Sequence, residues 1–413
     1  MSRIKDRKFI ILNTCIEAID LLLDAIYSTG ERHQLLAEFG IREPNSPIWS
    51  STIGTSIYVR NEKTYLKAVF YIKKNGVPYL SELPISKLKS KVTQFLIENF
   101  WYIRDGEFSR NPNLSYKLQI PCDPKLQLAK ALLISPLFNV TQTTFLYPFN
   151  SIHTEKSLQF KNFFIVNSSD LSLKDLNISS KYSHQFNFNY YPSLIDNQFN
   201  QKRISTWIGI HAPTEEISQR MLYAFLGTIS LFEDSEKRYC FNCEPKDSGC
   251  SYFSDGKQYT YKQTVDLLPS LYFKLKVEDK VSKYLENLSI FLNSNEKEPN
   301  RNIAALTHFY KSWFEQGAEQ YRTLCSCIDS LIEDTKYNSS KKFKDLCQIY
   351  TNKFNEQQLT HLLWIRGDIV HGKTPHLSNS PYYDTYLETY LSEPLRDLLE
   401  IVEIVLKSHI FKE

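Results

Sequence analysis

An arginine and a histidine stand five residues apart in the segment HLLWIRGDIVHGK, residues 361–373. Arg366 is followed by Gly367, Asp368, Ile369 and Val370, then by His371, Gly372 and Lys373. These two residue types together suit cleavage of an RNA phosphodiester by internal transfer. The 2′-hydroxyl attacks the neighbouring phosphorus, and a base must take its proton. Neutral imidazole is the side chain whose ordinary pKa fits that task near pH 7. The phosphate gathers negative charge as the new bond forms, and a guanidinium meets it with two parallel hydrogen bonds. The chemistry calls for no metal, because the nucleophile is part of the RNA.

Helix geometry sets a condition on that pair. Five residues of ideal α-helix separate two side chains by about 140° of rotation and about 7.5 Å of rise. In one continuous helix Arg366 and His371 would therefore point apart. Either Gly367 and Gly372 allow a bend or a helix end, or two chains each supply a pair to a shared site. An R-x4-H spacing is common by chance, and a histidine near a helix end is usually structural or solvated. Weight comes from its place, at the close of an apolar helical segment (LTHLLWIRGDIVHG) within a helical final third.

Neighbouring residues each carry two readings. Lys373 is a phosphate contact or a solvated lysine. Asp329 orients Arg366 through a charge pair or caps polar surface. His361 is expected on the helix surface rather than as a second base. Trp313 and Trp364 are expected in the core, with base stacking a secondary role.

A second constellation is Cys240-x2-Cys243-x6-Cys250. Three thiols at this spacing suit a structural zinc, which takes four thiolate or imidazole ligands. The fourth ligand is missing nearby, with His211 and His184 the upstream histidines. Free thiols in a Cys-rich hairpin are the plainer reading, and a redox pair is the third. A zinc here would staple the fold and would not catalyse. No cofactor is expected for catalysis.

The elements that must position these residues follow from periodicity. Ile11, Cys15, Ile16, Ile19, Leu22, Leu23 and Ile26 form one stripe of a helix ending near Tyr27. From Pro47 to Leu268 runs rich in β-formers dominate: Ser56–Val59, Tyr65–Ile72, Phe160–Val166, Phe186–Tyr191 and Ile204–Ile210. Asn75-Gly76 and Asp255-Gly256 are hairpin candidates. Helical patterns interrupt at Ile85–Phe100 and Glu215–Ser230. From Lys276 the chain turns helical: a first helix over VEDKVSKYLENLSIFLNS, a long one over Asn300–Ile332, then Lys341–Lys353, Glu356–His371 and Asp384–His409, with Pro394 kinking the last or starting a new helix. The fold class expected is α+β, a β-rich mixed region followed by an all-α bundle. The expected divisions are a helical segment at 1–45, a β-rich sensor or regulatory domain at 46–275, and the bundle at 276–413.

Composition narrows the classes. The 413 residues hold 49 Lys and Arg against 46 Asp and Glu, a formal charge of +3. Such a near-neutral chain does not coat nucleic acid through bulk charge, so any basic surface is local. Eight cysteines in so long a chain are not a disulfide framework. The N-terminal stretch is basic, briefly apolar, then acidic, which fits neither a signal peptide nor a membrane span. The expectation is a cytoplasmic protein with reduced thiols and no membrane contact.

The segment around Arg366 and His371 resembles the R-x4-6-H motif of HEPN-domain ribonucleases, and is most similar to the ApeA-like branch. The run from Trp313 through Tyr321 to Asp329 resembles that branch's second helix, in which an acidic residue often sits; Asp329 is its counterpart. The resemblance covers roughly residues 276–413. It implies a bundle of four or five helices forming a face-to-face homodimer, with the motif of each subunit lining a cleft at the interface. It implies an endoribonuclease that leaves 2′,3′-cyclic phosphate on RNA, tRNA among the substrates, in antiphage defence or abortive infection. It implies also that the N-terminal region senses or restrains, with a phage-derived trigger. The sequence departs from the family at Gly367, where Asn, Asp or His is common. The acidic residue comes one place later, at Asp368, which either supports Arg366 or leaves cleavage weakened. The alternatives are a non-catalytic RNA- or nucleotide-binding module of the same fold, and the toxin of a toxin–antitoxin pair.

Overall fold

In a computed structural model of the chain, the described residues are 2–27, 33–34, 58–59, 61–99, 122–139, 143–176, 178–193, 201–232, 248–254, 258–266, 275–277, 279–294, 296–333 and 339–413. The fold is α+β. It divides into two compact units, residues 1–141 and 142–413.

The first unit is built on α1 (Ser2–Tyr27). Its stripe of Cys15, Ala18, Ile19, Leu22 and Leu23 is buried with Tyr65, Ala68, Val69 and Ile72 of α2 (Glu62–Asn75). Next come α3 (Pro78–Glu82), α4 (Ile85–Glu98) and α5 (Cys122–Ile134), and a two-residue strand pair, β1 (His33–Gln34) with β2 (Tyr58–Val59). The run Tyr65–Ile72, expected as strand, is therefore helix. Its β-forming residues are overruled by burial at i, i+3, i+4 and i+7, and Asn61 caps the start by accepting from the Thr64 N–H at 2.9 Å. Asn75-Gly76 is not a hairpin turn: Gly76 ends α2, its N–H donating to the Ile72 carbonyl at 2.9 Å.

The second unit opens with the sheet. Its strands are β3 (Thr143–Phe149), β4 (Ile152–Thr154), β5 (Leu158–Gln159), β6 (Phe163–Asn167), β7 (Tyr190–Tyr191), β8 (Lys202–Arg203), β9 (Thr206–Ala212), β10 (Ser248–Ser254), β11 (Gln258–Asp266) and β12 (Leu275–Val277). Six of them form an antiparallel sheet in the order β11-β10-β3-β9-β6-β5. β10 and β11 flank Asp255-Gly256 as expected, although that turn itself lies outside the described residues.

Side chains alternate across this sheet with period two. Phe145, Tyr147 and Phe149, Phe163 and Ile165, and Ile208 and Ile210 face one core. Leu146, Phe164, Val166 and Trp207 face a second, smaller one with Phe188 and Tyr191. Gly209 gives room on that second face: a Cβ there would lie 2.0 Å from the Phe164 ring.

The larger core continues without a break into the helices, and this is why the division expected near residue 275 is not where the units part. The first helix of this layer is α6 (Glu215–Leu231), which joins the sheet to α7 (Asp279–Leu292) and α8 (Lys297–Lys311). Gly227 of α6 makes the closest approach: a Cβ there would lie 2.1 Å from the Leu306 carbonyl oxygen of α8. Then come α9 (Gly317–Leu331), α10 (Ser339–Tyr350), α11 (Glu356–Val370), α12 (Pro381–Tyr390) and α13 (Pro394–Phe411). The single long helix expected over 300–332 is two, because Gly317 takes φ +56° and turns the chain between α8 and α9. Pro394 starts a new helix, as expected of a residue that fits the first helical turn.

Candidate active site

The helix that carries the motif begins at Asn355, whose side chain accepts from the Gln358 N–H at 2.8 Å. Leu359, Leu362 and Ile365 are buried along its inner face. Two side chains pin it to its neighbours. The Tyr321 hydroxyl of α9 donates to the Leu362 carbonyl at 2.8 Å. The Gln358 amide donates to the Tyr386 hydroxyl of α12 at 2.9 Å and to the Asp397 carboxylate of α13 at 3.0 Å.

Gly367 does not bend this helix. The chain passes through it in regular α-helix, and a Cβ built there would meet nothing within 4 Å. The end comes at Gly372, with φ +66°. The Gly372 N–H donates to the Ile369 carbonyl at 3.1 Å, and the Lys373 N–H donates back to the Asp368 carbonyl at 2.9 Å. This is the paired closure that glycine in a left-handed conformation allows. His371 is thus the cap residue that follows the last helical residue, Val370, and its side chain is exposed.

Arg366 projects from the other side of α11. Its guanidinium pairs with the Asp329 carboxylate of α9 and lies 6.0 Å from the centroid of the Phe343 ring on α10. Both partners of the pair are three-quarters shielded, at 23% side-chain exposure each. Burial pushes the Asp329 carboxyl above the usual aspartate value, while Arg366 pulls it back. One Asp329 oxygen, Oδ1, is buried without a hydrogen-bond partner.

Asp368 is not the partner of Arg366. It is 4% exposed, and it accepts from the Ser380 hydroxyl at 2.9 Å and from the Lys373 ammonium at 3.1 Å. It ties the segment after the helix back onto α11, because Ser380 is also the residue that caps α12. Lys373 is consequently engaged with Asp368 rather than solvated alone.

Within one chain, then, Arg366 and His371 are not brought together. An unbent helix leaves about 140° between them. Two neighbours depart from the sequence reading. His361, expected on the surface, is 7% exposed, and Trp364, expected in the core beside the buried Trp313, is 45% exposed. Spacing alone held the signal, because position 361 borders the inner stripe of Gln358, Leu362 and Ile365 and position 364 does not.

Of the candidate zinc ligands, Cys240 and Cys243 lie outside the described residues. Cys250 lies in β10 with its side chain outside them. His211, on β9, shares a hydrogen bond of 3.0 Å between its Nδ1 and the Thr144 hydroxyl, and burial lowers its pKa. Among the described residues no cluster of three or more His, Cys, Asp or Glu side chains is placed to hold a metal. Cys15, Cys325, Cys327 and Cys347 are buried and form no disulfide. Among the described residues no helix is long and apolar enough to cross a membrane. Comparison with protein-family models, with curated proteins and with solved structures finds no match.

Proposed function

We propose that the helical region of residues 279–413 is a metal-independent endoribonuclease, with Arg366 and His371 as its working pair. The observation that carries this reading is their setting: a guanidinium oriented by Asp329 and an exposed imidazole at the terminus of the same helix. The motif's resemblance to HEPN ribonucleases supports it, with Asp329 in the acidic position that the resemblance implies.

The divergence of the two side chains makes dimerisation part of the mechanism. Arg366 of one chain must serve the same phosphodiester as His371 of a second. His371 takes the proton from the 2′-hydroxyl, and the 2′-oxygen forms a bond to phosphorus. The bond from phosphorus to the 5′-oxygen breaks, and the imidazolium returns its proton to that oxygen. Arg366 holds the non-bridging oxygens while charge gathers on them. The products are one fragment ending in 2′,3′-cyclic phosphate and one beginning with a 5′-hydroxyl. A role in antiphage defence or abortive infection, with tRNA among the substrates and a phage-derived trigger, rests on the resemblance alone, and the cytoplasmic setting on the N-terminal stretch and the thinly spread cysteines.

The test is incubation of total RNA with the purified protein in chelator, followed by end mapping. Cyclic-phosphate ends should form with the wild type and vanish with Arg366→Ala and with His371→Ala. Cutting that survives both substitutions contradicts the proposal. One observation favours a second reading, a binding module that does not cut: Arg366 is already occupied by Asp329 within the chain. RNA binding without any product would support that reading.

A further inference from the structure

Trp364 is a large aromatic side chain left nearly half exposed on α11. It is not isolated. The His361 ring lies 5.0 Å from it at an interplanar angle of 38°, and the Tyr382 ring of α12 lies 5.0 Å away at 40°. Behind them Tyr390 stands 5.6 Å from His361 and 4.7 Å from Tyr386. The buried His361 Nδ1 and the Tyr390 hydroxyl have no hydrogen-bond partner. Four ring systems with two unpaired polar atoms, around one half-exposed indole, are an incomplete stack.

Helix spacing connects this stack to the candidate catalytic imidazole. Positions 361, 364, 368 and 371 follow one another at three, four and three residues, a single stripe. Trp364 and His371, seven residues apart, sit within about 20° of each other and about 10 Å apart along the axis. Arg366 is on the other side. Beyond His371 the same end of the helix exposes Lys373 and His376. An aromatic platform beside basic and imidazole groups is the combination that holds single-stranded nucleic acid: the rings stack on bases, and the charges meet the backbone.

We propose that Trp364, backed by His361 and Tyr382, is a stacking shelf for one unpaired nucleobase of the RNA, on the His371 side of the scissile phosphate. The assignment rests on the ribonuclease reading for its substrate. It adds to that reading a preference for single-stranded RNA, since a paired base cannot offer its face to the indole. It also gives the RNA a fixed direction across the site, with the stacked base on the imidazole side and the guanidinium opposite.

The test uses the full chain carrying His371→Ala, so that RNA stays intact, and two fluorescent probes. One is a short oligoadenylate; the other is an abasic ribose-phosphate oligomer of the same length. Adding Trp364→Ala should weaken oligoadenylate binding about tenfold or more and leave abasic binding unchanged. Trp364→Phe, which keeps a stacking face, should retain most of the affinity. Equal oligoadenylate binding by Trp364→Ala overturns the shelf, and so does an equal loss on both probes. A change in oligomeric state of Trp364→Ala by light scattering also overturns it, assigning the face to a second copy of the chain. Base-dependent binding by a wild type that never cuts RNA would sink the ribonuclease reading and keep the shelf. Cutting by the wild type with binding indifferent to Trp364 would do the reverse.

Discussion

Arg366 of α11 is held by Asp329 of α9, thirty-seven residues earlier in the chain, in an ion pair that is mostly shielded from water. Arg366 therefore has a structural partner as well as its proposed phosphate, and the two roles must be separated. Arg366→Ala leaves a partly buried carboxylate without its partner, which should cost about 1–3 kcal/mol of stability. Removing both charges, with Asp329→Asn added, should recover part of that loss. Denaturant unfolding of the two single variants and the double variant measures the coupling. Additive losses would show that the pair contributes nothing.

The same pair predicts a pH dependence. Burial is the larger influence on Asp329 and raises its carboxyl above the usual aspartate value. With a folded pKa above the unfolded one, this group favours the folded chain at low pH, and that contribution is lost as pH rises through the raised value. On acidification Asp329 should take up its proton before ordinary aspartates do, leaving the Arg366 cation to donate to a neutral carboxyl in place of the ion pair. The carboxyl carbon shift of Asp329, followed by NMR, should show a midpoint above that of exposed aspartates. Arg366→Ala should move it higher still. A midpoint at or below the exposed aspartates contradicts the account.

Three glycines should respond to alanine in opposite directions. At Gly367 the helix is regular and the Cβ space is empty, so alanine should stabilise by up to about 1 kcal/mol. At Gly227 the new Cβ would strike the Leu306 backbone of α8, and the helices must move apart at a cost of about 1–3 kcal/mol. At Gly372 the left-handed φ is the obstacle, at about 1 kcal/mol. Thermal unfolding of the three variants should rank Gly367→Ala highest and Gly227→Ala lowest.

Asp368 should act as a clamp rather than as a support for Arg366. Asp368→Ala removes the acceptor for both Ser380 and Lys373 and should destabilise by about 1–3 kcal/mol. The loosening should concentrate in residues 371–380. Hydrogen exchange there should rise more than in α9, where Asp329 sits. Equal protection in the wild type and the variant would remove the clamp.

The helices were legible wherever burial and periodicity agreed. The stripe of α1, the pattern of α6 and the start at Pro394 are local signals that the structure keeps. Tyr65–Ile72 misleads because its residues are β-formers, yet Tyr65, Ala68, Val69 and Ile72 already carry helical spacing behind an Asn61 cap. The break at Gly317 was hidden by apolar periodicity on both sides of it. The merging of sheet and bundle into one core has no local signature, since it depends on which surfaces meet across the chain. At the site, Arg366, His371 and Asp329 were legible as residue types in a pattern. The clamp by Ser380 was not, because it depends on where α12 lies against α11.

In the proposed dimer the guanidinium of one chain and the imidazole of another act on one phosphodiester. Co-expressing Arg366→Ala with His371→Ala tests it directly. Each variant alone is inactive in the account. A mixed dimer has one composite site with both groups lost and one with both intact, so a statistical mixture should regain about a quarter of wild-type cutting. A mixture that pairs normally and stays as inactive as its components would contradict the claim.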